Sequence, residues 1–284
     1  MIDIKSIKSI LKKKGGLQIS QILFKKSASI KIDIPEKLKK DFIPINKKWA
    51  EKDRTNSFKN QDSLCVAKYQ IKDQKIFLDL CEDKYITRQA ISEVLGSMGI
   101  LEQDVLLSEI LNQKVKVPIS YKINIGVITK DNKLLIVKRS SKVSTNKNKY
   151  DFGISKGVKP EDFSNKSFQP LMTSIRAIEE ELNISLDLKS VVKNDAFVVK
   201  EFYLNREIFS LGFLCILDLR KLEDSYTLEL IKGRSESSKN SWEMSEILGV
   251  DFNKKSLVSF LKKEGNKITN YSIYHMLQIL EELD

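Results

Sequence analysis

The chain is expected to be an α/β protein of the α+β mixed-sheet kind, a sheet sandwiched by helices, with a smaller α+β domain at its N-terminal end. Strand-like runs and helical periodicity interleave along all 284 residues. The second half reads as strands, one acidic helix, more strands and terminal helices. At 41% apolar and 31% charged residues, the composition suits a globular chain with a sizeable core.

Ile2 to Leu11 has apolar residues at helical spacing, and Gly15-Gly16 is a credible stop. Leu17–Ile34, Leu64–Ile71 and Lys75–Leu80 read as strands. The last two are joined by Lys72-Asp73-Gln74, short enough for a hairpin. Thr87–Met98 and Glu102–Leu111 look helical on either side of Gly99. Lys116-Val117-Pro118 breaks the pattern, which places a boundary between domains 1–118 and 119–284. Tyr121–Thr129 and Lys133–Val137 are strands around an Asp131-Asn132 turn, and Tyr150–Gly157 is a third. Ser167–Leu182 is the acidic helix. Leu188–Leu204 and Ile208–Leu219 read as long strands, and Lys254–Lys263 and Ile268–Leu283 as closing helices.

Composition narrows the chemistry. No run of eighteen uncharged apolar residues suggests a membrane span, and Met1 to Leu17 does not read as a secretory signal. Cys65, Cys81 and Cys215 lie far apart in apolar runs, as suits reduced thiols in a cytoplasmic protein. His275 is the only histidine, so Ser-His and Cys-His chemistry is disfavoured and carboxylates with a metal ion are favoured. Of the net charge of +11, residues 1–50 carry thirteen lysines against four acids. Such a patch can attract nucleic acid. Without interleaved aromatics or arginines it reads better as a solvated surface, and nucleic acid is not the expected partner.

The acidic helix carries Arg176, Ala177, Glu179, Glu180 and Glu181. At about 100° per residue, Leu171, Ile175, Ile178 and Leu182 share one arc and face the core. Arg176, Ala177, Glu180 and Glu181 lie around the other side, with Arg176 and Glu180 an i,i+4 pair. Adjacent carboxylates repel unless a cation offsets them. Magnesium prefers oxygen ligands shared with phosphate and water. A solvated helix face explains the same residues without a ligand.

Gly157 to Ile184 resembles a Nudix box, whose pattern is Gly, five residues, Glu, seven residues, then Arg-Glu-apolar-x-Glu-Glu-x-Gly-apolar. Gly157, Arg176, Ile178, Glu180, Glu181 and Ile184 match it. The resemblance implies an α/β/α sandwich and hydrolysis of a nucleoside diphosphate linked to another group. It makes Glu180 and Glu181 ligands of Mg2+ (or Mn2+), with Arg176 holding a glutamate in place. Ala177 departs from the pattern where a glutamate is usual, and Asn183 stands for the glycine. Gly157 to Arg176 spans nineteen positions where the pattern has fourteen, and Phe163 falls where the upstream glutamate belongs. Glu161 and Asp162 are its nearest substitutes. Thr129 to Val143 is further similar to the subgroup containing the UDP-glucose/UDP-galactose hydrolase, which makes a UDP-sugar the first substrate to consider. The departures leave open a Nudix-fold sensor that binds a nucleotide without turnover.

Arg139 and Lys156 are candidates for diphosphate oxygens. Glu243 and Glu246 are candidates to supply the carboxylate missing at Ala177, and Trp242 to stack on a base or sugar. Arg139 and Lys156 also read as ordinary surface charges, and Trp242 as half-buried packing. Oligomeric state is not legible in the sequence.

Overall fold

The computed structural model describes residues 7–26, 33–54, 62–112, 114–143, 145–163, 169–238 and 241–283. Its strands form one mixed sheet of eleven, with helices on both faces. The expected α/β class is therefore the one observed.

β1 (Ile7–Leu17) and β2 (Ile22–Lys26) open the chain, followed by helix α1 (Glu36–Arg54). β3 (Asp62–Lys72) and β4 (Lys75–Lys84) make a hairpin whose two loop residues, Asp73 and Gln74, both have positive φ, as a tight hairpin twist requires. Helices α2 (Tyr85–Gly96) and α3 (Ile100–Leu111) lead to β5 (Ile119–Ile128) and β6 (Lys133–Arg139). Next come β7 (Tyr150–Phe152) and β8 (Ile154–Gly157). The acidic helix is α4 (Gln169–Leu182). Then come α5 (Leu188–Lys193), β9 (Phe197–Asn205), β10 (Ser210–Asp218) and α6 (Leu228–Ser235). β11 (Met244–Asp251), α7 (Lys254–Glu264) and α8 (Asn270–Leu280) complete the chain.

The main strand order is β1-β9-β10-β5-β3-β4-β2, with β8 and β6 also pairing with β5, and β7 and β11 with β6. β5–β10 and β2–β4 are parallel. Strands on either side of Lys116-Val117-Pro118 join directly, because β3 pairs with β5 and β1 with β9. One sheet face packs a large cluster that includes Ile123, Leu171, Ile178 and Leu182, so α4 lies there. The other packs Leu257, Ile273 and Met276 of α7 and α8. Cys65 and Cys81 face each other across β3 and β4, Cys215 lies in β10, and all three thiols are buried and free.

Several elements differ from expectation. Residues 7–11, read as part of a helix, and Gly15-Gly16, read as its stop, belong to the edge strand β1; residues 1–6 lie outside the described residues. Two register shifts break its alternation, and Gly15 and Gly16 take positive φ within it rather than ending a helix. Leu188–Leu204 is not one strand. Asp187 accepts a hydrogen bond from the Ser190 amide at 2.8 Å and starts α5, while Asp195, at φ 47°, turns the chain into β9. Tyr150–Gly157 is split at Gly153, where a Cβ would stand 1.9 Å from the Ile125 carbonyl oxygen. Helices α1 and α6 and strand β11 were not among the expected elements.

Candidate active site

Helix α4 ends at Asn183, whose φ of 53° lets its amide reach the Glu179 carbonyl at 3.1 Å. That left-handed cap holds the last turn, and Glu180 and Glu181 are on that turn. The helix buries Leu171, Ile178 and Leu182 completely. Ala177 also has no exposed surface and lies among them, contrary to its expected place on the outer arc. The arc is wider than the arithmetic allowed, because the sheet and its loops wrap the helix on more than one side.

Arg176 is the organising side chain. Its guanidinium donates to Asp162 from Nε at 2.6 Å and from Nη2 at 2.7 Å, a two-pronged pair. Nη2 also donates to the Gly157 carbonyl at 2.9 Å, and Nη1 reaches Glu180 at 3.2 Å. Asp162 is buried and accepts in addition from the Thr173 hydroxyl at 2.9 Å and the Lys159 amide at 3.0 Å. The 3₁₀ turn Pro160–Phe163, strand β8 and helix α4 are thereby locked together.

Lys156 on β8 carries the second link. Its Nζ lies 2.8 Å from Glu181 Oε1 and 3.2 Å from Glu180 Oε2. Lys159 Nζ lies 3.2 Å from Glu180 and 3.6 Å from Glu161. The two carboxyls are driven apart in acidity. Burial would raise Glu180, but Lys156, Arg176 and Lys159 together lower its pKa to about 2. Glu181 is 5% exposed; burial raises its pKa, Lys156 opposes that and the Glu243 charge reinforces it. One acid is held ionised and its neighbour is made easier to protonate. Burial opposes the charge on Lys156, yet the charges of Glu181, Glu243 and Glu180 keep its pKa above the ordinary value.

Glu180, Glu181, Arg176, Lys156 and Gly157 thus converge. Arg139 is close enough to Glu181 for its charge to act there, but its bonds go to Asp151 at 3.1 Å and the Thr145 carbonyl at 3.0 Å. Glu243 contributes charge beside Lys156, Glu181 and Arg139. Glu161 is exposed next to Lys159. Glu246 points to Lys138 at 3.6 Å, an exposed pair away from the carboxylate cluster's hydrogen bonds. Trp242 is 46% exposed. Sequence reasoning missed Lys159 as a partner of Glu180 and gave Asp162 only as a substitute glutamate. The Lys-Pro-Glu-Asp run after β8 was the available signal.

A divalent cation suits the donor chemistry in part. Glu180 and Glu181 offer adjacent oxygens, and Glu180 stays ionised at any ordinary pH. Among the described residues no three His, Cys, Asp or Glu side chains are grouped as a ready-made metal centre. A cation held by the pair would therefore draw its remaining oxygens from water and ligand phosphate, and would displace Lys156 from between the acids.

No family model and no curated protein matches this chain. Fifty-two chains of solved structures do. One is a bifunctional NMN adenylyltransferase/ADP ribose pyrophosphatase from Francisella tularensis, complexed with AMP and a Mn ion. It is 14% identical, with a TM-score of 0.40, over 70% of this chain and 49% of that one. This chain thus spans about half the length of that enzyme. Another is Tm1382, a putative Nudix hydrolase, at 13% identity and TM-score 0.43, over 78% of this chain and 100% of that one. A third is a Nudix hydrolase from Alicyclobacillus acidocaldarius, at 10% identity and TM-score 0.39, over 57% and 91%. Likenesses this distant carry no argument about activity.

Proposed function

We propose that the protein is a Nudix-type, magnesium- or manganese-dependent hydrolase of a nucleoside diphosphate linked to another group, with a UDP-sugar as substrate and UMP and a sugar phosphate as products. The observation that carries this reading is the pairing of Glu180 and Glu181 at the end of α4, with Lys156 reaching both and Arg176 fixing Glu180 to Gly157 and Asp162. The motif resemblance from Gly157 to Ile184 supports it. Hydrolysis joins a water oxygen to one phosphorus and breaks the bridging P–O bond, and the water proton must pass to a base. Glu243, whose charge acts on Lys156 and Glu181, is the carboxylate we assign to that proton. A metal ion held by Glu180 and Glu181 would neutralise charge developing on the diphosphate. Lys156 and Lys159 are positioned to turn from the acids to phosphate oxygens as the substrate arrives.

One observation favours a second reading. Lys156 Nζ already forms an ion pair with each carboxylate, which suits a sensor that binds a nucleotide without cleaving it. A screen of nucleotide sugars, ADP-ribose, dinucleoside polyphosphates and nucleoside triphosphates, with magnesium or manganese and with chelator, separates the two. Metal-dependent release of UMP supports hydrolysis. Saturable binding with no product in any reaction supports the sensor and rejects the hydrolase.

A further inference from the structure

Arg88, in α2 of the N-terminal region, is 4% exposed, and neither its Nε nor its Nη1 has a hydrogen-bond acceptor. No carboxylate forms an ion pair with it among the described residues, and its guanidinium carbon lies 5.0 Å from the centroid of the Tyr85 ring. The guanidinium stands over Gly157, where an added Cβ would lie 3.4 Å from Nη1 and 4.0 Å from Nη2. Lys122 of β5 is directly opposite Gly157 in the antiparallel register. Residues so opposed project to the same face of a sheet, so the Lys122 side chain and the bare side of Gly157 face the same way. Lys122 also has no ion pair among the described residues. Burial, together with the nearby charges of Arg88 and Arg139 and against that of Asp151, lowers its pKa to about 8. Arg139 is itself bound to Asp151 at 3.1 Å. Arg88 and Lys122 are thus two cations without an ion pair among the described residues, in a place where an uncompensated charge is costly.

We propose that Arg88 and Lys122 form an oxyanion site beside Gly157 that takes the phosphoryl group of a small phosphorylated ligand. A phosphoryl group brings the missing negative charge and several acceptor oxygens, which match an arginine fork and a lysine point charge. Lys122 and Gly157 both keep partial exposure, which gives a ligand access from solvent. The site joins α2, far upstream in the chain, to the strand that carries Lys156. It does not depend on turnover at Glu180 and Glu181.

The test is titration of the full chain with inorganic phosphate in phosphate-free buffer, followed by calorimetry and melting temperature. Wild type is expected to bind and to melt higher with phosphate. Arg88→Gln and Lys122→Met should each weaken binding at least about tenfold, the loss of one charge-assisted contact. Should Arg88→Gln fail to fold, Lys122→Met decides alone. Absence of phosphate binding by wild type, or unchanged binding in the folded variants, would each overturn the proposal.

Discussion

Glu181 is buried against Lys156, and a neutral amide fills the same volume without the charge. Glu181→Gln should therefore leave the fold intact, since Lys156 keeps Glu180 at 3.2 Å. It should lower any metal-dependent hydrolysis roughly a hundredfold or more, the worth of a few kcal/mol at the transition state. Product release by wild type and variant at matched melting temperature is the measurement, and equal rates would reject the assignment. Ala177 behaves in the opposite way. The position is fully buried among Leu171, Ile178 and Leu182. Ala177→Glu would force a carboxylate into that cluster, at a cost on the order of several kcal/mol. The expected result is a large fall in melting temperature with no gain in rate. Faster turnover in a stable variant would show that the side chain reaches the acids after all. Glu180 and Glu181 were legible because adjacent acids one turn beyond an arginine form a local pattern. Lys156, Asp162 and Arg88 were less so, since their roles come from contacts between elements distant in sequence.

At the scale of elements, the clamp from Arg176 to Asp162 ties the 3₁₀ turn to α4 through two hydrogen bonds of 2.6 and 2.7 Å. Asp162→Ala leaves a largely buried guanidinium without its main partner. Removing one member of such a pair costs roughly 3–5 kcal/mol. Urea unfolding should show that loss, and a variant within 1 kcal/mol of wild type, by the same order-of-magnitude reckoning, would mean that Glu180 takes over the pairing. The hairpin of β3 and β4 and the strands β5, β6 and β10 were readable from their apolar runs and turn residues. Strand β1 was not, because bulges spoil the period of two and its isoleucines fall at helical spacing by accident. Its Lys12, Lys13 and Lys14 belong to an edge strand, where charge discourages pairing with another chain. The basic N-terminal segment thus has a structural use that the charge count alone did not reveal.

For the whole molecule, His275 connects pH to stability. The ring is fully buried in a cage of Phe152, Tyr203, Tyr271 and Tyr274, and neither nitrogen has a hydrogen-bond partner. Burial lowers its pKa from 6.5 to about 3. Below about pH 6.5 the unfolded chain takes up a proton that the folded chain refuses until about pH 3. The stability involved is intact above pH 6.5 and is lost as pH falls towards 3, on the order of 2–3 kcal/mol by pH 4.5. Urea midpoints at pH 7 and 4.5 measure this. His275→Phe should flatten that part of the slope, and an unchanged slope would point to other groups. The overall class was readable from element order, whereas the joining of the regions either side of residue 118 was not, because pairing between remote strands leaves no local mark.

The three buried cysteines turn that joining into something that can be timed. Burial raises the Cys81 pKa to about 12, with Asp83 adding to the rise, and raises Cys65 and Cys215 as well, so none supplies a ready thiolate. A thiol reagent can label them only when the chain opens locally or globally. Cys65 and Cys81 report on the hairpin of β3 and β4, while Cys215 reports on the far side of β5. If the sheet opens as one cooperative unit, all three should label at a common rate in rising denaturant. Early modification of Cys65 and Cys81, with Cys215 still protected, would reveal an N-terminal region that lets go first.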